Sequence, residues 1–385
     1  MDCQKKYNGL EEAMEQLNAK GFDGMGAALQ ILFNHAMLIE RERHLNAHPY
    51  ERSESRRGYA NGYKAKAVKT RVGLLDFNVP QVRDSDFYPS CLEKGIRSER
   101  ALRVSLAEMY VQGVSTRKVT SIIEEMCGFE ITSAQVSRAA AELDKEFEAW
   151  RRRPLGQYSY VFCDARYESI RHGGCVVDCA VLTAIGITED YRREVLGVSV
   201  ALSEAEAHWR DFFKDLQGRG LHGVKLITSD AHVGLKAGRK AVFPSVPWQR
   251  CQFHLQQNAQ SYVPRKDMKK QVASHIRSIF NAPDLEEAEH LLSKTVAIYQ
   301  KDAPKLASWM AENLAEGFTV FNFPNAHQQR LRTSNICERL NKDIKRRTRV
   351  ATLFPNEASC LRLVTAVVLE ISEVWVTGQA YLTKE

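Results

Sequence analysis

YSYVFCDARYESIRHGGCVVDCAVLTAIGITEDYRREVLGVSVALSEAEAHWRDFFKDLQGRGLHGVKLITSD, residues 158–230, holds the changes of hydrophobic period that decide the fold. Tyr158 to Cys163 is an apolar run ending in Asp164, and it reads as a buried strand. Gly174 to Ile187 and Glu194 to Leu202 read as two more strands, joined by a polar turn at Glu189–Arg193. The period then turns helical: Ala205 to Leu216 places Trp209, Phe212 and Phe213 on one side. Val224 to Ile227 returns to a strand, closed by Thr228-Ser229-Asp230. Downstream, Gly234 to Val242 reads as a helix, Val246 to Cys251 as a short strand, and His254 to Tyr262 as the start of another helix.

Three strands, helix, strand, helix, strand, helix is the element order of an α/β ribonuclease H-like core. In that order the first and fourth strands lie side by side, so acids at or just past their ends, Asp164 and Asp230, are expected to meet. Lys266 to Leu314 reads as helical and polar-faced, an α-helical insertion separating Asp230 from a third acid, Glu338. Glu338 stands near the start of LRTSNICERLNKDIKRRTRV, residues 331–350, which reads as a capped helix with a basic face. Two readings of Glu338 stand side by side. Asn335 with Glu338 three residues on has the form of a capping box, in which the acid only satisfies a helix N-terminus. Asp164 and Asp230 have equally plain readings as a turn residue and a loop cap. Taken together, with spacings of 66 and 108 residues, the three acids stand on two strand ends and a helix. Three such carboxylates suit divalent metal ions for phosphoryl transfer. Pro355 to Trp375 reads as a final packing helix.

Upstream, residues 1–50 read as helical, with Leu10, Ala13, Met14 and Leu17 at helical spacing, suited to packing or dimerisation. Gly58 to Asp84 alternates Val, Leu and Phe with Gly turns and suggests an antiparallel pair carrying Lys64, Lys66, Lys69 and Arg71. Within Arg97 to Trp150, TRKVTSIIEEM, a turn at Cys127-Gly128, and a second helix capped at Thr132-Ser133 fit a helix-turn-helix. Ser133, Gln135 and Arg138 would then face the major groove; a plain helical hairpin fits the same pattern. Arg151-Arg152-Arg153-Pro154 reads as a basic hinge. The expected domains are residues 1–95, 96–153 with the helix-turn-helix, 154–262 as the first part of the core, 263–325 as the insertion, and 326–385 as the last part.

With 385 residues, 44% of them hydrophobic and 26% charged, the chain has the composition of a globular protein of two or three domains. No apolar run approaches the roughly 18–20 residues that span a bilayer. The first residues, MDCQKKYNGLEEAMEQL, carry acids where a secretion signal needs apolar residues, so a cytoplasmic, nucleoid-associated protein is expected. Nine cysteines with no CxxC pair point to reduced thiols rather than to disulfides or zinc. The net charge of +7 is unevenly placed. Residues 51–73 hold seven Lys/Arg against two Glu, and residues 339–349 hold six against one Asp, leaving the rest slightly acidic. Localised basic patches on such a body are the footprint of a polyanion partner.

At the level of whole motifs, the chain resembles transposases of the bacterial IS256 group, related to the Mutator type. VFCDARYESIR, LITSDAHVGLKAG and TSNICERLNKDIKRRTRV are similar to that family's three acidic signatures, and WQRCQFHLQQN supplies its Cys/Asp-x2-His element as Cys251 and His254. The basic NGYKAKAVKTRVGLLDFNVP stretch resembles the family as well. The resemblance implies a DDE mechanism in which Asp164, Asp230 and Glu338 hold two Mg²⁺ ions, with Mn²⁺ able to substitute. It implies cleavage of double-stranded DNA at terminal inverted repeats, joining to target DNA, and a homodimer or higher oligomer. Cys251 and His254 are expected to support the acids, with His254 touching DNA or orienting a carboxylate. Arg166, Lys342, Lys345, Arg346 and Arg347, with Arg138 and the Lys64–Arg71 patch, are the expected DNA contacts. Two other readings share these residues: a domesticated DNA-binding regulator without catalysis, and a nuclease that cuts and never joins.

Overall fold

The apolar alternation that begins at Tyr160 becomes the central strand of the larger of two units in the computed structural model, which describes residues 9–349 and 353–383. Residues read above that precede Gly9, together with Val350, fall outside the described residues. The units meet in sequence at Leu143/Asp144.

In the first unit, helices α1 (Gly9–Lys20) and α2 (Met25–Leu45) precede a hairpin of β1 (Ala60–Thr70) and β2 (Gly73–Val82). The hairpin is antiparallel from Ala60↔Val82 to Thr70↔Gly73, as the alternation of Gly58–Asp84 predicts. Its inward residues Leu75, Phe77 and Val79 pack with Met37, Leu29 and Phe33 of α2. Helices α3 (Arg100–Val111), α4 (Thr116–Cys127) and α5 (Ser133–Ala141) enclose a second core around Leu102, Leu106, Val119, Ile123 and Val136. Their caps follow the sequence signals. Ser115 accepts a bond from the Lys118 amide, Gly128 ends α4 at a φ of 70°, and Thr132 forms a full capping box with Gln135. The helix after Thr132 is shorter than its sequence period suggests, ending at Ala141.

The second unit opens with α6 (Asp144–Arg151), then β3 (Tyr160–His172), β4 (Cys175–Ile187), β5 (Arg193–Ala201), α7 (Glu206–Gly218), β6 (Leu226–Ser229), α8 (Val233–Val242), β7 (Trp248–Arg250) and α9 (Gln252–Ser261). The five strands form one mixed sheet in the order β5-β4-β3-β6-β7, so the first and fourth strands are neighbours, as read above. A Gly173-Gly174 turn with both φ positive closes the β3–β4 hairpin. The sheet is covered on both faces. Val161, Cys163, Leu182 and Leu196 meet Trp209, Phe212, Phe213 and Leu216 of α7 and Leu235 of α8. Tyr160, Phe162 and Ile170 meet the other layer, α14 (Asn335–Thr348) and α15 (Glu357–Thr377). Coverage on both faces is why these strands read as nearly continuous apolar runs.

Two expectations are corrected. Asp164 is not the last residue of its strand: β3 continues to His172, because Arg166, Glu168 and Ile170 bond or pack against α14 while β4 supplies a full ladder. Nor is the stretch from Lys266 polar-faced. Helices α10 (Lys269–Phe280), α11 (Leu285–Tyr299) and α12 (Pro304–Asn313) bury Val272, Ile276, Ile279, Tyr299, Leu306 and Met310 with Leu255 of α9. A short α13 (Asn325–Leu331) then leads into α14. The Arg151–Arg153 run is tied down, with Arg153 ion-paired to Glu194 at 2.8 Å and set 4.3 Å from the Trp150 ring centre. Among the described residues eight cysteines are free thiols, and no helix is long and apolar enough to cross a membrane.

Candidate active site

Register brings the two aspartates together. β3 and β6 pair in parallel as Tyr160↔Leu226, Val161↔Ile227 and Phe162↔Thr228. Asp164 and Asp230 each lie two residues beyond the last of these pairs. Past that point β3 pairs only with β4, opposite Thr183, whose hydroxyl donates to the Asp164 carbonyl at 3.1 Å. Side chains alternate along a strand, so Phe162, Asp164, Arg166 and Glu168 share the α14 face. Asn341 of α14 donates its amide to Asp164 Oδ2 at 2.8 Å. Arg166 donates to the Asn341 carbonyl at 2.7 Å and pairs with Glu168, which accepts from Thr348 at 2.8 Å. Every second β3 residue therefore fixes α14 to the strand that carries the first aspartate.

The carboxylates are crowded. Burial, with the charges of Asp230 and Glu204, pushes the Asp164 carboxyl up to about 7. Glu204 was not singled out in the sequence. It lies just before α7, is buried, and is raised by burial and by Asp230 while His232, 3.5 Å away, opposes the shift. Its one sequence signal is an acid between the third strand and the first core helix. The start of α8 is pressed against it: a Cβ on Gly234 would stand 1.9 Å from the Glu204 carbonyl oxygen. Only glycine permits that approach. The Asp230 carboxylate itself accepts the His232 amide at 3.2 Å.

Cys251 and His254 face the same cluster. The adjacent Cys251 sulfur, with the charges of Asp164 and Asp230, pushes the imidazole up to about 9. Burial drives the Cys251 thiol up, and bonds from His254 and Ser334 outweigh it, so the thiol lies below its ordinary value. A thiol held below its ordinary value and a raised imidazole thus stand beside two carboxylates. Among the described residues no three His, Cys, Asp or Glu side chains are already gathered as a metal cage.

Glu338 does not act as a cap. The N-cap of α14 is Ser334, and no side chain bonds to it there, so the capping-box reading of Asn335 and Glu338 fails. The chain leading into α14 is held instead by the ends of β6 and β7. Thr228 donates to the Leu331 carbonyl at 2.9 Å, the Gln252 amide to the Arg332 carbonyl at 2.9 Å, and the Ser334 amide to Cys251 Sγ at 3.3 Å. Glu338 Oε1 is buried and has no hydrogen-bond partner among the described residues. The neighbouring Cys337 thiol, raised by burial, lies in the fields of both Asp164 and Glu338. Asp164 and Asp230, close enough for one charge to raise the other, and the unpartnered Glu338 on the helix bonded to Asp164 supply oxygen donors of the kind that fit a hard divalent cation.

The remaining expected contacts divide. Lys64, Arg138, Lys342, Lys345 and Arg346 are exposed. Lys66 donates to Tyr88 and to the Glu93 carbonyl at 2.7 Å each, Lys69 donates to the Glu130 carbonyl at 2.6 Å, and Arg71 pairs with Glu99 at 3.1 Å. Arg166 is held by α14, and Arg347 pairs with Glu370 at 2.8 Å. Gln135 is engaged in its own helix cap.

The sequence profile described as transposase, Mutator family, matches residues 3–378. The chain is 57% identical over 384 residues, 99% of both chains, to the transposase for insertion sequence element IS406 of Burkholderia multivorans. It is 40% identical to the transposase for insertion sequence element ISRM5 of Rhizobium meliloti, over 94% of this chain and 91% of that one. It is 37% identical, over 90% of each chain, to the transposase for insertion sequence element IS256 in transposon Tn4001 of Staphylococcus aureus.

Proposed function

The chain belongs to the Mutator family of transposases, and from that premise we propose that it cuts and joins DNA at the terminal inverted repeats of its own insertion sequence by Mg²⁺-dependent DDE chemistry. The proposal takes the five-stranded sheet and its flanking helices as a ribonuclease H-like core and α10–α12 as a helical insertion. The α4–α5 pair, with Arg138 exposed, serves as a helix-turn-helix for the repeats. One observation carries the reading: Asp164 and Asp230 sit two residues past the same parallel strand pair, and the unpartnered carboxylate of Glu338 rides on the helix bonded to Asp164.

Asp164, Asp230 and Glu338 would hold two Mg²⁺ ions. Bound there, Mg²⁺ supplies nucleophile activation and charge neutralisation at phosphorus. The residues of the chain do the rest. Asn341 fixes the Asp164 carboxylate, and the Cys251 clamp fixes the start of the Glu338 helix. The His254 imidazolium, protonated throughout the neutral range, lends a positive charge to the face where phosphate oxygens approach. Each step is an in-line displacement. A water oxygen bonds to phosphorus as the bond to the 3′-oxygen breaks, leaving a 3′-hydroxyl. That hydroxyl then attacks a target phosphodiester, and a new 3′-oxygen leaves. Two ends must be held together for joining, which requires a homodimer or larger assembly.

Asp164→Asn tests the reading. Cleavage of a duplex bearing the repeat should be lost, with affinity for that duplex within about twofold of the original. A variant that still cuts sinks the role of Asp164. A wild-type protein that binds the repeats but never cuts them in Mg²⁺ or Mn²⁺ speaks for the regulator instead.

A further inference from the structure

Beside Glu338 the second unit opens a cleft of about 430 Å³, walled by the end of α13, the first turns of α14, the start of β5 and Tyr381. Arg193, Arg330, Arg332, Arg339 and Lys342 line it, five cations against a single carboxylate, Glu338. Cations gathered this closely repel one another. Burial, together with the charges of Arg339 and Arg330, holds Arg193 below the usual guanidinium range. Neighbouring basic residues are neutralised: Arg153 by Glu194, Arg346 by Asp343 and Arg347 by Glu370. Among the described residues Arg193, Arg330, Arg339 and Lys342 have no acidic partner.

What holds the guanidiniums in place is aromatic. Arg193 lies 4.7 Å from the Trp375 ring centre and 5.2 Å from that of Tyr381, and Arg330 lies 5.2 Å from Tyr381. A ring fixes a guanidinium through its π face without cancelling the charge. Arg193 Nε is moreover buried with no partner. Fixed, uncancelled guanidinium forks are the arrangement that takes phosphate oxygens two at a time.

We propose that this cleft binds the phosphodiester backbone of DNA, taking the phosphates that adjoin the reacting one on the strand running past Glu338. The proposal rests on the reading of Glu338 given above. Holding the adjoining phosphates would draw the strand across Glu338 and keep the cut end in place between cleavage and joining.

The test is a binding cycle without metal, so that it does not depend on cutting. Fluorescence anisotropy would follow a labelled duplex ending at the element terminus, with single phosphates near the end replaced by neutral methylphosphonates. The protein would be the full chain and its Arg330→Gln/Arg339→Gln variant. Both arginines are exposed, and a thermal melt checks the fold. Wild-type protein should lose about tenfold in affinity when one or two terminal phosphates are neutralised. The variant should start about tenfold weaker and lose nothing further at those phosphates, and its slope of log affinity against log salt should be shallower by nearly two. Arg330→Lys/Arg339→Lys should restore the salt slope but only part of the affinity, because an ammonium keeps the charge and lacks the fork. Additive losses at every phosphate would overturn the proposal. So would a variant with unchanged DNA affinity that has lost binding to a polyglutamate peptide, which would make the cleft a protein site. Failure of the Asp164→Asn test would leave this outcome readable, because no step here requires cleavage.

Discussion

Asp164 is held where a charge is costly, and that cost has a pH signature. Its folded value of about 7 lies well above the ordinary carboxylate value of 3.8. In metal-free protein the folded state therefore keeps a proton that the unfolded state releases between those values. Stability is full below about pH 4 and is lost as pH rises through about 7, by roughly 2–4 kcal/mol. Urea unfolding in chelator across that window should show the fall, and Asp164→Asn should flatten it; an equal slope in both proteins would contradict the assignment. His254 contributes separately and higher. Its raised value stabilises fully below about 6.5, and that contribution is lost as pH climbs through about 9. Cys251 acts through geometry rather than charge alone, since its sulfur accepts the Ser334 amide that begins the Glu338 helix. Cys251→Ala should lower the rate of cleavage about 10–100-fold with little change in DNA affinity, as losses of supporting contacts do. Cys251→Asp keeps an acceptor and should restore most of the rate. Loss of rate in both variants alike would assign Cys251 to packing.

The spacing of two helices, α7 and α8, sets where Asp230 stands. A Cβ on Gly234 would stand 1.9 Å from the Glu204 oxygen, and one on Gly238 would stand 2.8 Å from Trp209 Cβ and 2.9 Å from the Arg210 nitrogen. Propensity alone says that Gly→Ala inside a helix stabilises by about 0.5–1 kcal/mol. Here overpacking wins, and Gly234→Ala and Gly238→Ala should each destabilise, by about 1–3 kcal/mol in urea unfolding. A gain in stability would mean that the helices are not in backbone contact. Glycines four apart were visible in VGLKAG, but their meaning was not, because nothing in a helical period says which face meets another backbone. The same limit explains the other misses. The strand pattern located Asp164 and Asp230 because burial on both faces leaves continuous apolar runs. It ended the first strand too early, because Arg166 and Glu168 look like loop residues until α14 supplies their partners. Glu204 was silent for a similar reason: its neighbours Asp230 and His232 arrive from 26 and 28 residues away. The capping box at Asn335 was a valid local signal, overruled by the bonds that Thr228, Cys251 and Gln252 make to the chain before α14.

Over the whole molecule, charge count and charge availability part company. Two stretches read as equally basic in sequence, yet in the first unit Lys66, Lys69 and Arg71 already serve carbonyls or a carboxylate, which leaves Lys64 as the freest of the four. In the second unit Lys345 and Arg346 face outward, Arg346 with only an exposed 3.5 Å pair to Asp343 that a phosphate can displace, whereas Arg347 is engaged by Glu370 and is mostly buried. Phosphate contacts release counterions, at about 0.9 units of log–log salt slope for each contact on duplex DNA. Lys345→Gln/Arg346→Gln should therefore flatten the slope by nearly two if both touch phosphate, with a melting temperature close to that of the parent. Arg347→Gln should do the reverse, leaving the slope alone while removing a partly buried ion pair and leaving Glu370 without its partner, at about 1–3 kcal/mol of stability. Lys64→Gln should change the slope by at most one unit, and Lys66→Gln should act on the fold of the hairpin instead. A slope that fell equally for exposed and engaged residues would mean that overall net charge, rather than particular side chains, governs the hold on DNA. The opposite pattern would locate the contacts on the outer face of α14, along the helix that carries Glu338.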